Sequence, residues 1–226
     1  MSDTSETLTD IIELLESDKH EIVVSGLDKL ESVLSDLVPL IRNGSIENNP
    51  FVTLQDTFDH NIASHLVSVY DSLAKEEDED LLIRLIQCNT LLQGLLLVHP
   101  RSRVIFHQNS NMKAILEVLD LTSDIDVLIS IVSTIVHIIL KDLDNYRSFE
   151  RCGGCIKVMR KFDLTNQAKS DLNYKIIEFL IVYLIDEEAL NPTKTQKKSI
   201  SEKAQLLEPE FAEIHHLIAN LNDLKT

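Results

Sequence analysis

Residues 102–141 read SRVIFHQNSNMKAILEVLDLTSDIDVLISIVSTIVHIILK, and the order of parts in this stretch decides the fold. A short segment at 102–107 is followed by a medium one at 112–121 and a long one at 125–141 that is nearly all apolar. Apolar residues recur at steps of three and four, which is helical spacing. The chain then repeats the order: 146–151 is short, 155–162 medium and 172–187 long. Sliding the sequence along itself by about 43 to 46 residues sets like against like. Arg103, Phe106, Met112, Leu116 and Leu119 fall near Arg147, Phe149, Cys155, Met159 and Phe162. A period of about 40–47 residues with two or three helices per unit is the armadillo/HEAT pattern. One such unit cannot cover its own apolar face, so a neighbour must. Gly153-Gly154 suits the sharp turn between short and medium helices. The expected fold is all-α: an armadillo/HEAT-like right-handed helical-repeat solenoid (an α-α superhelix) over residues 1–190. Chance self-matching of leucine-rich helices is the competing explanation.

The long segments carry a second pattern. In 125–141 the polar positions are Asp126, Ser130, Ser133, His137 and Lys141, whose spacing traces one helix face. A shift of about 45 residues places Asp171, Lys175, Glu178, Val182 and Asp186 on the later long helix. A shift of about 46 the other way places Asp80, Arg84, Gln87 and Leu91 on the earlier one. In a solenoid the last helix of each unit lines the concave surface. These residues are therefore expected to form a polar ladder that receives a partner. The alternative is that each stripe is only the solvated edge of a buried helix.

The rest of the chain reads as helix and loop. Residues 7–15 and 20–42 are amphipathic, the second through Val23, Leu27, Leu30, Leu34, Leu37 and Ile41. A further helix is expected over 54–73 and a buried one over 80–98. Glu76-Glu77-Asp78-Glu79-Asp80 forms an acidic loop. Residues 191–207, with lysines and hydroxyls and little apolar content, read as a mobile linker. Thr193, Thr195, Ser199 and Ser201 in it are candidate phosphorylation sites. Residues 208–226 read as a last amphipathic helix that caps the stack.

Composition narrows function. The chain has 226 residues, with 44% hydrophobic, 26% charged, five glycines and five prolines. So few turn formers favour long helices over hairpins. A formal net charge of −16 argues against nucleic acid and anionic membrane surfaces, which need a basic stripe. A basic protein partner fits the sign, and simple solubility is the plainer account. Three cysteines and an acidic start without an apolar leader segment point to a reducing compartment. The longest apolar runs, 91–98 and 176–185, are short and broken by Gln93 and Glu178, so no membrane span is expected.

A search for chemistry finds little. Cys152-Gly153-Gly154-Cys155 is a C-x-x-C, but no second ligand pair completes a zinc site and no strand precedes it. Two thiols flanking a glycine turn are the better reading. His215-His216 lacks the i, i+4 spacing of a helical metal pair. Glu178 sits within an apolar run, but an acid–base group needs a pocket and a substrate. No phosphate-cradling glycine loop or nucleophile elbow is present. No cofactor is implied.

Three pieces carry a family resemblance. They are Ser102-Arg103-Val104-Ile105-Phe106 with Asn111-Met112, then Asn145 through Gly154, then Lys175 through Leu184. In that order they resemble the fungal cell division control proteins fourteen of the septation initiation network, the non-phosphatase proteins of that name. The likeness covers roughly residues 80–190. It departs after the third piece, where a proline is expected near Asp186-Glu187 and none stands. The resemblance implies a non-catalytic subunit of a heteromeric complex with a germinal-centre-type protein kinase. It implies a role in septum formation and cytokinesis, in the cytoplasm at the spindle pole body. By that analogy the kinase docks on the long-helix stripes and on Arg147, Phe149 and Glu150. The alternatives are an armadillo-type scaffold for a different protein, and an enzyme with an unrecognised helical site.

Overall fold

The computed structural model describes residues 2–73, 80–190 and 197–223. Residues 76–79 of the acidic loop and residues 191–196 of the expected linker, with Thr193 and Thr195, lie outside the described residues. Every described element is helical. The long helix at the centre, α7 (Ile125–Ile139), starts where Asp124 accepts a hydrogen bond from the Val127 N–H at 3.0 Å. That satisfies a donor the first turn leaves open. Its apolar girth is buried on two sides. One neighbour is α5 (Leu81–Val98) and the other is α10 (Ser170–Tyr183). α5 packs in turn on α2 (His20–Arg42), so the four long helices contact one another in series.

A second row lies beside them. α1 (Ser2–Leu15) packs on α4 (Ile62–Leu73), α4 on α6 (Asn109–Leu121), and α6 on α9 (Gly154–Met159). The short 3-10 segment Pro100–His107 packs on α8 (Leu143–Arg151). Apolar residues of both rows merge into one core that includes Leu27, Leu66, Leu92, Ile115, Ile135 and Phe179. This is the mutual covering that an apolar helix with no other partner requires.

α5 is long and apolar enough to cross a membrane by length and composition, against the expectation that no run would be. Its setting explains the composition. α2, α4 and α7 all pack on it, burying Leu85, Cys88, Leu92, Leu95 and Leu96.

The α8–α9 turn behaves as expected. Gly153 adopts the left-handed region at φ 76°, where a β-carbon is penalised. Gly154 packs against the Phe149 ring so closely that a β-carbon would collide with Cε2.

Two expectations are corrected. The helix over 54–73 is broken: α3 (Pro50–Leu54) ends early, and α4 begins at Ile62, whose N–H donates to Gln55 Oε1 at 2.9 Å. The polar linker is not all linker. α12 (Ile200–Leu207) packs on α9, with Lys203, Ala204 and Leu207 buried. Ser199 and Glu202 form a capping box at its start, each side chain satisfying the other's backbone N–H. A last helix, α13 (Ile214–Asp223), packs on α12.

Hydrogen bonds from Ser199 hold the Glu202 carboxyl below the usual range. A depressed carboxylate stabilises above its unfolded value and loses that contribution as pH falls through the folded value. Amide protection of α12 is therefore expected to decline at acid pH, below the ordinary carboxylate range. Ser199→Ala should remove about 1 kcal/mol, read as a lower denaturation midpoint and faster exchange in α12.

Candidate partner-binding surface

The stripe residues lie along the long-helix row, as their spacing predicts. On α7, Asp126 is exposed and Ser130, Ser133 and His137 are half-buried. The His137 ring donates from Nδ1 to the Ser133 carbonyl of its own helix at 2.8 Å. Lys141 follows the helix in the left-handed region at φ 60° and is exposed. On α10, Asp171 and Glu178 are exposed, and Lys175 pairs with Glu178 at 2.7 Å. Tyr174 and Ile181 add apolar surface to the same helix.

On α5, Arg84 and Gln87 turn toward α2. Arg84 pairs with Asp28 at 3.1 Å, and Gln87 donates to Asp28 at 2.9 Å and to Glu31 at 2.7 Å. These contacts close one end of an open groove between α2 and α5. Further along, the groove is apolar, lined by Leu34, Val38, Ile41, Leu91, Gly94 and Leu97. The helical period assigns Ile41 to the core, yet it is 44% exposed, and Leu97 is 60% exposed. The sequence signal for the groove is the extra apolar width of α2: Val38 and Ile41 extend past the stripe that α1 and α5 cover. Gly94 interrupts a helix interior at a cost of about 0.5–1 kcal/mol relative to alanine. A β-carbon there would meet only Leu34 Cδ1, at 3.8 Å, an ordinary contact. Gly94→Ala is therefore expected to stabilise the chain by about that amount, measured as a higher urea midpoint.

Arg147, Phe149 and Glu150 do not belong to this surface. Phe149 is fully buried among Phe179 and Tyr183, with ring centroids 5.5 and 6.0 Å away. Arg147 and Glu150 face inward, where the C-terminal segment supplies their partners. Arg147 lies 3.2 Å from Glu150 and pairs with Glu187, which is also buried. Glu150 accepts from Tyr183 Oη at 2.9 Å and from Lys198 at 2.6 Å. Glu187 accepts from Lys203 at 2.8 Å and from the Lys198 N–H at 2.8 Å. Lys203 also donates to the carbonyls of Tyr183 and Ile185, with the Tyr146 ring centroid 4.8 Å away. Burial pulls the Lys203 pKa down, while Glu187 acts to raise it. Charged and aromatic residues beside a turn have the look of a docking patch in sequence. In the structure Phe149 packs on α10, and Arg147 and Glu150 are tied through Glu187 and Lys198 to the segment that leads into α12.

Other polar arrays have structural roles on view. His99 lies between Ser102 Oγ at 2.8 Å and Asp56 at 3.0 Å, the order of a hydrolase triad. Ser102 is fully buried and accepts from Asn61 at 3.2 Å, so no acyl group reaches it. Hydrogen bonding to His99 holds Asp56 below the usual carboxylate range. His107, Asp142 and Asp144 come close enough together to hold a cation. Asp142 already caps α8 through the Asp144 and Asn145 N–H groups and lies 3.1 Å from His107. The thiol of Cys155 points to Tyr183 Oη at 3.3 Å and is pushed by burial up to about 12. It stays protonated at neutral pH, which makes it a poor nucleophile.

Residues 42–198 match the family model described as cell division control protein 14, SIN component. The chain belongs to that family. The matched region takes in α5, α7 and α10 with their stripes, and the charges around Arg147 apart from Lys203. The family is a component of the septation initiation network, so a role in septation is consistent with membership. Among curated proteins the chain is 24% identical over 198 residues to "Cell division control protein 14" of Schizosaccharomyces pombe (strain 972 / ATCC 24843). The alignment covers 81% of this chain and 82% of that protein. No solved structure matches the chain.

Proposed function

We propose that this chain is a non-catalytic adaptor, the regulatory subunit of a germinal-centre-type protein kinase in the septation initiation network. It acts in the control of septum formation and cytokinesis, in the cytoplasm at the spindle pole body. The helices form an armadillo/HEAT-like superhelix whose long-helix row presents the binding face. The observation that carries this reading is the character of that face. α2, α5, α7 and α10 pack in series and expose both polar stripes and uncovered apolar side chains along one row. Such a face suits a protein partner, which buries a mixed patch of apolar centre and polar rim. An acidic chain also steers a basic partner toward itself. Family membership supplies the pathway, and the kinase follows from the resemblance described above.

The test is co-expression of the chain with germinal-centre-type kinases. The expected result is a stoichiometric complex that survives gel filtration, with no catalytic activity contributed by this chain. Absence of a complex with every such kinase from the same cell would refute the kinase assignment.

A further inference from the structure

We propose that the groove between α2 and α5 receives a basic amphipathic helix of the partner; this rests on the adaptor reading and names the segment that docks. The length fits. From Thr90 to Val98 the apolar stretch follows eight residue steps of α5, which is ~12 Å at the helical rise and about two turns of a docked helix. The relief fits too. Val38, Ile41 and Leu97 are exposed apolar side chains, and Gly94 lines the same stretch without a side chain. The β-carbon that Gly94 lacks would find ordinary space inside this chain, so internal packing does not require glycine there. A side chain entering from outside does gain from its absence.

Charge selects the occupant. Asp28 and Glu31 stand one turn apart on α2 and are both exposed, and Glu31 lines the groove along its polar and its apolar stretch. Arg84, which lines this groove, is paired with Asp28, and among the described residues the hydrogen bond Glu31 accepts is from the neutral Gln87 amide. Among the described residues at this border, two carboxylates, Asp28 and Glu31, stand against one cation, Arg84, so the border is net acidic. A helix with apolar anchors at i, i+3 and i+7 and lysine or arginine along its flank complements both floor and border.

The probe is a designed helix of about 18 residues, leucine on one face and lysine along the flank. A counterpart carries glutamate in place of lysine. Each is titrated against the full chain, with amide exchange followed in parallel. The lysine probe should bind, protect α2 and α5, and displace the kinase. Gly94→Gln, which keeps a good helix former, should weaken it by about tenfold or more, with melting temperature unchanged or higher. Glu31→Lys should weaken it by about fivefold at low salt and by less as salt rises. Equal binding of the two probes, protection confined to other helices, or indifference to Gly94→Gln would overturn the proposal. A dimer that Gly94→Gln dissolves would assign the groove to a second copy and overturn it as well. A kinase complex unaffected by the groove variants removes this site and leaves the adaptor reading standing. Correct probe behaviour without any kinase complex does the reverse.

Discussion

Replacing Lys203 with alanine is expected to remove about 3–5 kcal/mol of stability. The side chain is fully buried and its ammonium reaches Glu187 and the carbonyls of Tyr183 and Ile185. Those carbonyls lie at the C-terminal end of α10, where backbone acceptors are left open and a cation is favoured. Alanine would leave the Glu187 carboxylate with one side-chain cation, Arg147, and two carbonyls without the donor they now have. It would also empty the space beneath the Tyr146 ring. The loss should start in the C-terminal segment: amide exchange in α12 should rise before global unfolding, because Lys203 is its anchor. Lys203→Met, which keeps the bulk, should lose less, and adding Glu187→Gln to it should recover part of the remainder. Urea denaturation with site-resolved exchange measures all of this. An unchanged midpoint for Lys203→Ala would mean that α12 does not dock as described.

Phe149→Ala carries the second large effect, about 3–5 kcal/mol. The ring sits against Phe179 and Tyr183 and over Gly154, so its removal opens a cavity between α8, α9 and α10. The partner change is Gly154→Ala, expected to cost about 1–3 kcal/mol because the new methyl meets the ring. The two are coupled. In a Phe149→Leu background the Gly154→Ala penalty should shrink, since the atoms it strikes, Cδ2, Cε2 and Cζ, belong to the ring. A double-mutant cycle reads the coupling directly. Additive penalties would contradict the contact. A loss of partner binding with stability unchanged would return Phe149 to the docking surface that the family resemblance implies for it.

Much of the architecture was legible because helical period and burial speak the same language. The apolar run of α7 predicted a helix that a neighbour must cover, and α5 and α10 pack on it. The glycine pair predicted a sharp turn, and Gly153 takes the backbone angle that turn needs. The stripe from Asp126 to Lys141 was legible for the same reason. Burial of charge was not. Arg147, Glu150, Lys198 and Lys203 read as solvated because isolated charges are costly inside. Arg147 and Lys198 find partners 40 and 48 residues away, and those of Lys203 come from another element, 18 and 20 residues back, separations that local pattern does not encode. The groove was hidden differently. Ile41 continues the helical period of α2, and only the end of the covering contact shows that it faces outward.

The most direct measurement of the central claim is partner affinity after the long-helix row alone is altered. Arg84, Gln87, Asp126, His137, Lys175 and Glu178 are changed together to alanine in the full chain. Binding to the co-expressed kinase is then measured by calorimetry, with thermal unfolding as the control. The row lies at or near the surface and most of its contacts are exposed pairs, so the fold should persist with a modest loss. Affinity should fall by about tenfold or more. Unchanged affinity at unchanged stability would mean that the row is only the wet edge of buried helices, and that the partner is held elsewhere.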